Sequence, residues 1–193
     1  MPRTKPHSET KIAEAALKLA GRQGWQSLTL DQIAKAAKIP PAQMRNTVRE
    51  KSAILPAIMC LLDAQTLTKA GKTDPHATPH DRLFEILMAR FDVLQERRAG
   101  ILVLFEACRA DPALARSILP AHWQMAQNIF AHARLVPEGR LKPLATFGLL
   151  AVYYRALWRW QKDQTPDMAK TMAALDQALR CAAGVAEILF RNK

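Results

Sequence analysis

The chain has 193 residues, of which 49% are hydrophobic and seven are glycine, and its net charge is +11 at pH 7. The many Leu, Ala, Met, Gln, Arg and Lys residues favour an all-α fold over a β fold. The basic balance indicates a polyanionic partner, either nucleic acid or an anionic membrane surface. Three cysteines far apart in sequence argue against a disulfide framework or a metal motif and are typical of a reduced protein.

The positive charge is concentrated near the N-terminus. Residues 1–52 contain ten Lys and Arg against four Asp and Glu, whereas the other 141 residues contain 18 and 13. The start lacks the pattern of a signal peptide, and the longest apolar run, residues 144–154, is too short to cross a bilayer. The sequence therefore predicts a cytoplasmic protein and argues against a membrane partner.

Three short helices are predicted within the first fifty residues. Gly24 is expected to end the first helix, and Thr29 forms a capping box with Gln32 at the start of the second. The turn Lys38-Ile39-Pro40 follows, and Pro40 or Pro41 suits the first position of the third helix, where no amide hydrogen bond is lost. The predicted bounds are about 9–23, 30–37 and 41–48, after a basic arm at residues 1–8. Helical spacing predicts that Met44 and Val48 face the core and that one inward face of the first helix carries Ile12, Ala15, Ala16, Leu19 and Ala20.

Six further helices are predicted downstream, and no strand. Ser52 is expected to cap the first of them, and Pro120 to kink the fourth. The last helix carries an apolar stripe, which we interpret as a dimer seam or core rather than a membrane anchor. Trp158 and Trp160 cannot share a helix face, so one of them is expected at a dimer or membrane surface. The predicted bounds are about 53–69, 80–97, 99–110, 112–133, 141–162 and 166–191.

The first three predicted helices have the spacing of a helix-turn-helix DNA reader. In such readers the third helix presents short polar and basic side chains to base edges, while nearby hydroxyl and ammonium groups hold phosphates. Gln43 and Asn46 suit adenine, and Arg45 suits guanine or a phosphate. The predicted DNA-binding residues are Thr29, Pro41, Ala42, Gln43, Arg45, Asn46, Thr47 and Lys51.

Residues 10–55 contain a spaced pattern of mainly apolar residues. It reads Ile12-x-x-Ala15-Ala16-x-x-Leu19, Gly24-Trp25, Leu28-Thr29-Leu30-x-x-Ile33-Ala34-x-x-Ala37, Ile39 and Lys51-x-x-Ile54-Leu55. In this pattern the segment resembles the DNA-binding head of the TetR family of bacterial repressors. The resemblance implies a homodimer with a helix-turn-helix domain at residues 1–52 and a helical regulatory and dimerisation domain at 53–193. It further implies a palindromic operator in double-stranded DNA, a small-molecule ligand that releases or modulates the protein, and dimerisation through the last two helices.

One segment departs from the family pattern. The recognition helix of the family usually ends in Leu-Tyr-x-His/Tyr-Phe, and here that segment reads Met44 to Val48. Arg45 could replace the tyrosine as a phosphate contact, but a loss of DNA reading is the other interpretation. The alternative function is that of a lipid-binding accessory protein of the ubiquinone-biosynthesis type, which has a similar fold and no DNA function. Residues 158–167 look a little like the C-terminal part of those proteins.

Large apolar side chains beyond residue 52 could line a cavity for a small apolar or amphipathic ligand, although plain packing is the other interpretation for each. The predicted ligand-binding residues are Met88, Phe91, Phe105, His122, Trp123 and Tyr153. The five histidines are scattered, and the sequence contains neither a glycine-rich phosphate loop nor metal-ligand spacing. We therefore predict no enzyme activity, no cofactor and no metal site.

Overall fold

A computed structural model of the protein describes the backbone of residues 5–190 and the side chains of residues 8–184. Within residues 5–190 the chain forms ten α-helices and one 3₁₀ turn, without a β-strand, which confirms the all-α fold class. The helices are α1 (Lys5–Gln23), α2 (Leu30–Ala37), α3 (Pro41–Thr47), α4 (Ile54–Ala70), α5 (Pro79–Gln95), α6 (Arg98–Ala110), α7 (Pro112–Ser117), α8 (Leu119–His132), α9 (Leu141–Lys162) and α10 (Ala169–Phe190).

Two predicted boundaries near the chain's start are wrong. Helix α1 begins at Lys5, so residues 5–8 of the predicted arm are helical, and residues 1–4 lie outside the described part. Ser52 does not cap α4, because it lies two residues before the first residue of α4, Ile54, and its hydroxyl bonds to Glu50 Oε1 at 2.5 Å. It lies within a 3₁₀ turn, Lys51–Ala53, which leads directly into α4.

The predicted single helix over 112–133 is divided in two. Helix α7 ends at Ser117 and α8 begins at Leu119. Pro120 has no amide proton for the carbonyl group four residues earlier, and its ring crowds that carbonyl, so the helix ends just before it instead of only bending. The start of α7 is held by Asp111, whose carboxylate accepts hydrogen bonds from the amides of Ala113 and Leu114.

The chain packs as two compact units, each made from two segments. The first unit consists of the described part of residues 1–65 together with 93–121, and the second consists of 66–92 together with the described part of 122–193. These units are defined by packing alone. The predicted division of function after residue 52 stays a prediction.

Helix α1 supplies the centre of the first unit, where it packs against α2, α3 and α6. The predicted inward positions Ala15 and Leu19 are only half-buried, whereas Ala13 and Leu17 are buried. The buried face is rotated because α1 also contacts α6, which the pattern of a three-helix head does not include. The buried residues of α1 are Ile12, Ala13, Ala16, Leu17 and Ala20.

Two glycines let the backbones of α1 and α6 touch. A Cβ atom added to Gly21 would lie 2.9 Å from the backbone nitrogen of Gly100, and one added to Gly100 would collide with the carbonyl oxygen of Leu17. Only glycine lacks this atom, so each position tolerates no other residue without a shift of backbone. The contact therefore fixes α6 as a structural part of the first unit.

In the second unit α9 and α10 pack along each other. The turn between them is closed by Asp163, which accepts hydrogen bonds from the amide and hydroxyl groups of Thr165 and Thr171 at 2.6–3.1 Å. Burial alone would raise the pKa of Asp163, but these hydrogen bonds outweigh it and hold the pKa well below the usual range. The carboxylate therefore stays charged and orders the start of α10.

One described segment, Lys51–Ala70, is long and apolar enough to cross a membrane by length and composition alone. Of its most apolar stretch, 44% is buried within the protein, and the core helix of a soluble protein passes the same test. Ile54, Leu55, Ile58 and Leu62 are almost fully buried. The apolar character of α4 is therefore accounted for by packing.

Candidate nucleic-acid interface and ligand cluster

The turn between α2 and α3 is built by the three residues predicted for it. Lys38 adopts the left-handed conformation at φ 55°, and the amide of Ile39 donates to the carbonyl of Ala34 at 3.0 Å. Ile39 is buried, and Pro40 directs the chain into α3, whose first residue is Pro41. The predicted capping box is also present, since Thr29 and Gln32 exchange hydrogen bonds at 2.9 and 3.2 Å. The helix-turn-helix is therefore fixed at both ends of α2.

Helix α3 buries one side and exposes the other. Met44 and Val48 face the core, as predicted. Gln43 and Thr47 are half-buried, and the Thr47 hydroxyl donates to the carbonyl of Gln43 at 2.8 Å. Of the predicted DNA-binding residues in this helix, the exposed ones are Pro41, Ala42, Arg45 and Asn46. We call these four the α3 polar face.

The Gln43 side chain points toward α1 rather than straight outward. Its Nε2 donates a hydrogen bond to the hydroxyl oxygen of Ser8 at 2.9 Å, and Ser8 is 7% exposed. Ser8 was not among the predicted site residues, because nothing in a local pattern indicates a partner 35 residues away. The recognition helix is therefore connected to the start of α1 by a side-chain hydrogen bond.

Lys51 is occupied within the protein. Its Nζ donates to the carbonyl oxygens of Trp25 at 2.8 Å, Gln26 at 3.1 Å and Leu28 at 3.1 Å, and it lies 5.3 Å from the centre of the Trp25 ring. Burial lowers the pKa of this ammonium group. Three carbonyls match its three protons, so a phosphate would compete with the loop before α2. Thr29, in contrast, is exposed. Its hydroxyl oxygen accepts a hydrogen bond from the amide of Gln32, and this bond does not use the hydroxyl proton, which can be donated to an acceptor.

No protein-family model matches the sequence. A curated relative from Bacillus subtilis (strain 168), the uncharacterized HTH-type transcriptional regulator YhgD, is 21% identical over 174 residues, which cover 85% of this chain and 90% of the relative. A TetR transcriptional regulator of known structure from Nitrosomonas europaea ATCC 19718 superposes with a TM-score of 0.72 at 18% identity. That match covers 91% of this chain and 97% of the other. The chain has the TetR-family fold.

A second solved structure with the TetR fold is FadR from Thermus thermophilus, a transcriptional repressor in complex with lauroyl-CoA. It matches with a TM-score of 0.58 and 18% identity over 91% of this chain and 93% of that one. The resemblance predicted from residues 10–55 is therefore confirmed, and as a likeness of fold it extends over nine-tenths of the chain.

Within the second unit of this TetR fold, three of the predicted ligand-binding residues come together. The rings of Phe91 and Tyr153 stack with centres 5.8 Å apart, and the His122 ring lies 6.2 Å from that of Tyr153. All three are buried. The hydroxyl of Tyr154 and Nδ1 of His122 share a hydrogen bond at 2.8 Å, in which the tautomer of the imidazole decides the donor. Burial, helped by the positive charge of Arg90, lowers the pKa of His122 to about 4, so the ring is neutral at pH 7.

Arg90 is the member of this cluster that sequence reasoning missed. It is 1% exposed, and its Nε donates to the Tyr153 hydroxyl at 3.3 Å while its guanidinium carbon lies 5.4 Å from the ring centre. A signal was present, because Arg90 shares the apolar helix face of Leu87, Phe91 and Leu94. A charge at such a position is rarely fully buried without a specific role.

The other predicted ligand residues lie elsewhere. Met88 and Trp123 are half-buried in the second unit, and the Trp123 ring meets the exposed ring of Phe147 edge to face at 5.0 Å. Phe105 is half-buried and belongs to the first unit. Among the described residues no group of three acidic, histidine or cysteine side chains is arranged to hold a metal ion.

Helix α9 carries an exposed apolar surface. Phe147 and Trp158 are 63% and 56% exposed, whereas Trp160 is fully buried, which confirms that one tryptophan of this pair lies at the surface. The ammonium group of Lys162 lies 4.2 Å from the Trp158 ring centre. At helical spacing the large exposed residues share one side. We call Leu144, Phe147, Tyr154 and Trp158 the α9 apolar face.

The apolar stripe predicted for the last helix divides between core and surface. Met168, just before α10, and Leu175 and Leu179 within it are buried in the second unit, so these residues form core. Met172 is 42% exposed and Ala182 is half-buried. The stripe's remaining members, Ala186 and Leu189, lie outside the described side chains.

Proposed function

We propose that this chain is a DNA-binding transcriptional regulator of the TetR type, acting as a repressor whose operator binding a small molecule modulates. The observation that carries the proposal is the α3 polar face. It belongs to a helix-turn-helix with a defined turn, a capping box at the start of α2 and a buried side formed by Met44 and Val48. Residues 30–51 contain five basic and two acidic side chains, which suits a phosphate backbone. The YhgD relative and the TetR structures support the same function.

Each predicted DNA-binding residue has a proposed role. On the α3 polar face, Arg45 and Asn46 would contact base edges or phosphates, and Pro41 and Ala42 would allow close approach and contact thymine methyl groups. Gln43 would reach a base from the edge of this face. The exposed Thr29 and the half-buried Thr47 would border the phosphate backbone, and Lys51 would reach it only by giving up a carbonyl.

We also propose a homodimer, which a palindromic operator requires. The α9 apolar face supports it, because a continuous exposed apolar surface on one helix is typical of a protein contact. Burial of one large apolar side chain contributes about 1.5–3 kcal/mol, and a two-fold axis would bury each residue twice. Met172 of α10 would extend the contact to the last two helices, as predicted.

For the modulating ligand we propose a small apolar or amphipathic molecule bound in the second unit. Phe91, His122 and Tyr153 support this with apolar rings and a neutral imidazole, which can accept or donate one hydrogen bond at Nε2. Met88 and Trp123 are further candidates in that unit, whereas Phe105 belongs to the first unit and is not part of this proposal. The FadR structure shows that a TetR fold can accommodate such a ligand in that protein.

The deciding experiment is binding of the purified protein to a fluorescent pool of its own genomic upstream DNA at about 50 and 200 mM salt, with random competitor. We expect binding that resists competitor and weakens steeply with salt. Weak binding that competitor abolishes would contradict the proposal.

The exposed Trp158 is the one observation that also suits the lipid-binding alternative, since tryptophan is common at membrane interfaces. Organic extracts of the same purified protein, together with vesicle sedimentation of the wild type and Trp158→Ala, test it directly. A co-purifying isoprenoid lipid and vesicle binding that depends on Trp158, in a protein without specific DNA binding, would favour that alternative.

A further inference from the structure

The hydrogen bond between Ser8 and Gln43 joins two helices with different tasks. Ser8 lies in α1, which is a packing element of the first unit, and Gln43 lies in α3, whose polar face is the proposed DNA reader. The bond is 2.9 Å long, and the two helices also contact each other. Its effect on α3 depends on which atoms of Gln43 it leaves available.

The amide of a glutamine has two N–H donors and one carbonyl oxygen that accepts. Adenine is read in the major groove by one donor, to N7, and one acceptor, from the N6 amino group. The Ser8 hydroxyl takes one N–H of Gln43, which leaves one N–H and Oε1. That remainder is the pair adenine needs, so the bond to Ser8 and the bonds to adenine do not compete for the same atoms.

The surroundings keep this arrangement in place. Ser8 is 7% exposed, so its hydroxyl does not swing freely into water. Gln43 is half-buried, and its backbone carbonyl accepts from Thr47. A free glutamine loses considerable rotamer entropy when it is immobilised on a base, and a glutamine already held by a neighbour loses less.

We propose that Ser8 is a positioning residue for base recognition, which orients the Gln43 amide so that the recognition helix prefers adenine at one position of each half-site. This inference rests on the proposed DNA-binding function. Ser8 itself touches no DNA in this arrangement and acts only through Gln43. If Ser8 had only a structural role, its replacement would weaken binding to all DNA sequences equally. If Ser8 positions Gln43, its replacement changes the preference at one base pair.

The test is selection of preferred sites from randomised double-stranded DNA by the full-length protein, which requires no knowledge of the operator. We would compare the wild type with Ser8→Ala, Ser8→Thr, Gln43→Ala and the matched control Ser27→Ala. Ser27 is an exposed serine of the same unit whose hydroxyl donates to the carbonyls of Gln23 and Gly24, away from α3. Thermal unfolding of each variant reports on folding separately.

We expect Gln43→Ala to lose the preference for adenine at one position of the half-site, by about fivefold or more. Ser8→Ala should lose preference at that same position, with affinity for random DNA unchanged, and Ser8→Thr should restore it because threonine keeps the hydroxyl acceptor. Ser27→Ala should select the wild-type site.

Three results would overturn the inference, and they are distinguishable. If the wild type selects no sequence, the proposed function fails and the inference fails with it. If the wild type selects a site but Gln43→Ala leaves every position unchanged, the function stands and Gln43 is not the reader. If Gln43→Ala loses one position while Ser8→Ala changes none, or weakens all sequences equally, Ser8 has no positioning role.

Discussion

Helices α3 and α9 each leave one side uncovered, and the two surfaces differ in chemistry. The α3 polar face presents a guanidinium group, an amide and two small residues, whereas the α9 apolar face presents aromatic rings and a leucine. Water solvates the first well and the second poorly. The difference indicates two kinds of partner: a polyanion with readable edges for α3 and another apolar protein surface for α9.

The buried sides of the two helices differ as well. Helix α3 has seven residues, of which Met44 is buried. Its orientation therefore depends on contacts with neighbouring elements, such as the hydrogen bond between Gln43 and Ser8. Helix α9 has 22 residues and is anchored by a long row of buried residues that includes Tyr153 and Trp160. The orientation of the short helix therefore depends more on single side-chain contacts than that of the long one.

The largest expected effect is on the α3 side. Replacing Arg45 and Arg49, both exposed, with alanine removes four cations per dimer, and specific DNA affinity should fall by about a thousandfold with a shallower salt dependence. The measurement is fluorescence anisotropy on a selected operator across salt concentrations. The control is Lys72→Ala with Arg140→Ala, two exposed cations of the second unit. Equal losses in both variants would show that net charge, and not α3, carries the binding.

The next effect concerns the α9 apolar face. Phe147→Asp removes an apolar contact from both protomers and brings two carboxylates together, so the dimer dissociation constant should rise by about a hundredfold or more. Sedimentation velocity over a concentration series measures this. Val136→Asp, at another exposed apolar residue of the second unit, should leave the dimer intact. A Phe147→Asp protein that stays dimeric would mean that the dimer forms elsewhere.

A smaller effect should appear with pH, because burial lowers the pKa of His122, which shares a hydrogen bond with Tyr154 of the α9 apolar face. The folded protein keeps His122 neutral down to about pH 4, whereas the unfolded chain binds a proton near pH 6.5. The unfolded state therefore takes up the proton first, and the free energy of unfolding should fall by about 2–3 kcal/mol as pH drops from 6.5 to 4. Urea unfolding of the wild type, His122→Gln and the exposed-loop control His76→Gln checks this. The pH dependence should flatten only in His122→Gln.

The smallest expected effect distinguishes a structural role of Lys51 from a role in DNA binding. Lys51→Met should lower the free energy of unfolding by about 1–2 kcal/mol, since it removes the ammonium donor from the carbonyls of Trp25, Gln26 and Leu28. The slope of DNA binding against salt should stay close to that of the wild type. Lys35→Met, at an exposed position of α2, is the comparison for stability. Unchanged stability together with a reduced salt slope would instead make Lys51 a phosphate contact.

Features set by neighbours in sequence could be predicted. The capping box of Thr29 and Gln32, the end of α1 at Gly24 and the bounds of α9 follow from residues a few positions apart. The left-handed Lys38 was missed, because no glycine indicates it and the turn itself imposes the conformation.

Features set by distant residues could not be predicted. The partners of Lys51 lie 23–26 residues away and that of Gln43 lies 35 away, so both roles depend on the tertiary fold. Helical spacing showed that Arg90 shares a face with apolar residues, but not that Tyr153 would meet it. Helical spacing predicted a dimer seam or core for the apolar stripe of the last helix. It did not show that Leu175 and Leu179 of that stripe are buried, nor that the exposed apolar residues lie on α9.

The glycine contact between α1 and α6 bears on how this protein can be divided or recombined. A fragment ending after residue 52 would contain the whole helix-turn-helix, yet it would uncover the side of α1 where Leu17 and Gly21 meet Gly100. We therefore expect that the helix-turn-helix does not keep its structure when it is separated from α6. A chimera that transplants it onto another regulator would have to carry α6 along, or supply a helix with a glycine at the same place.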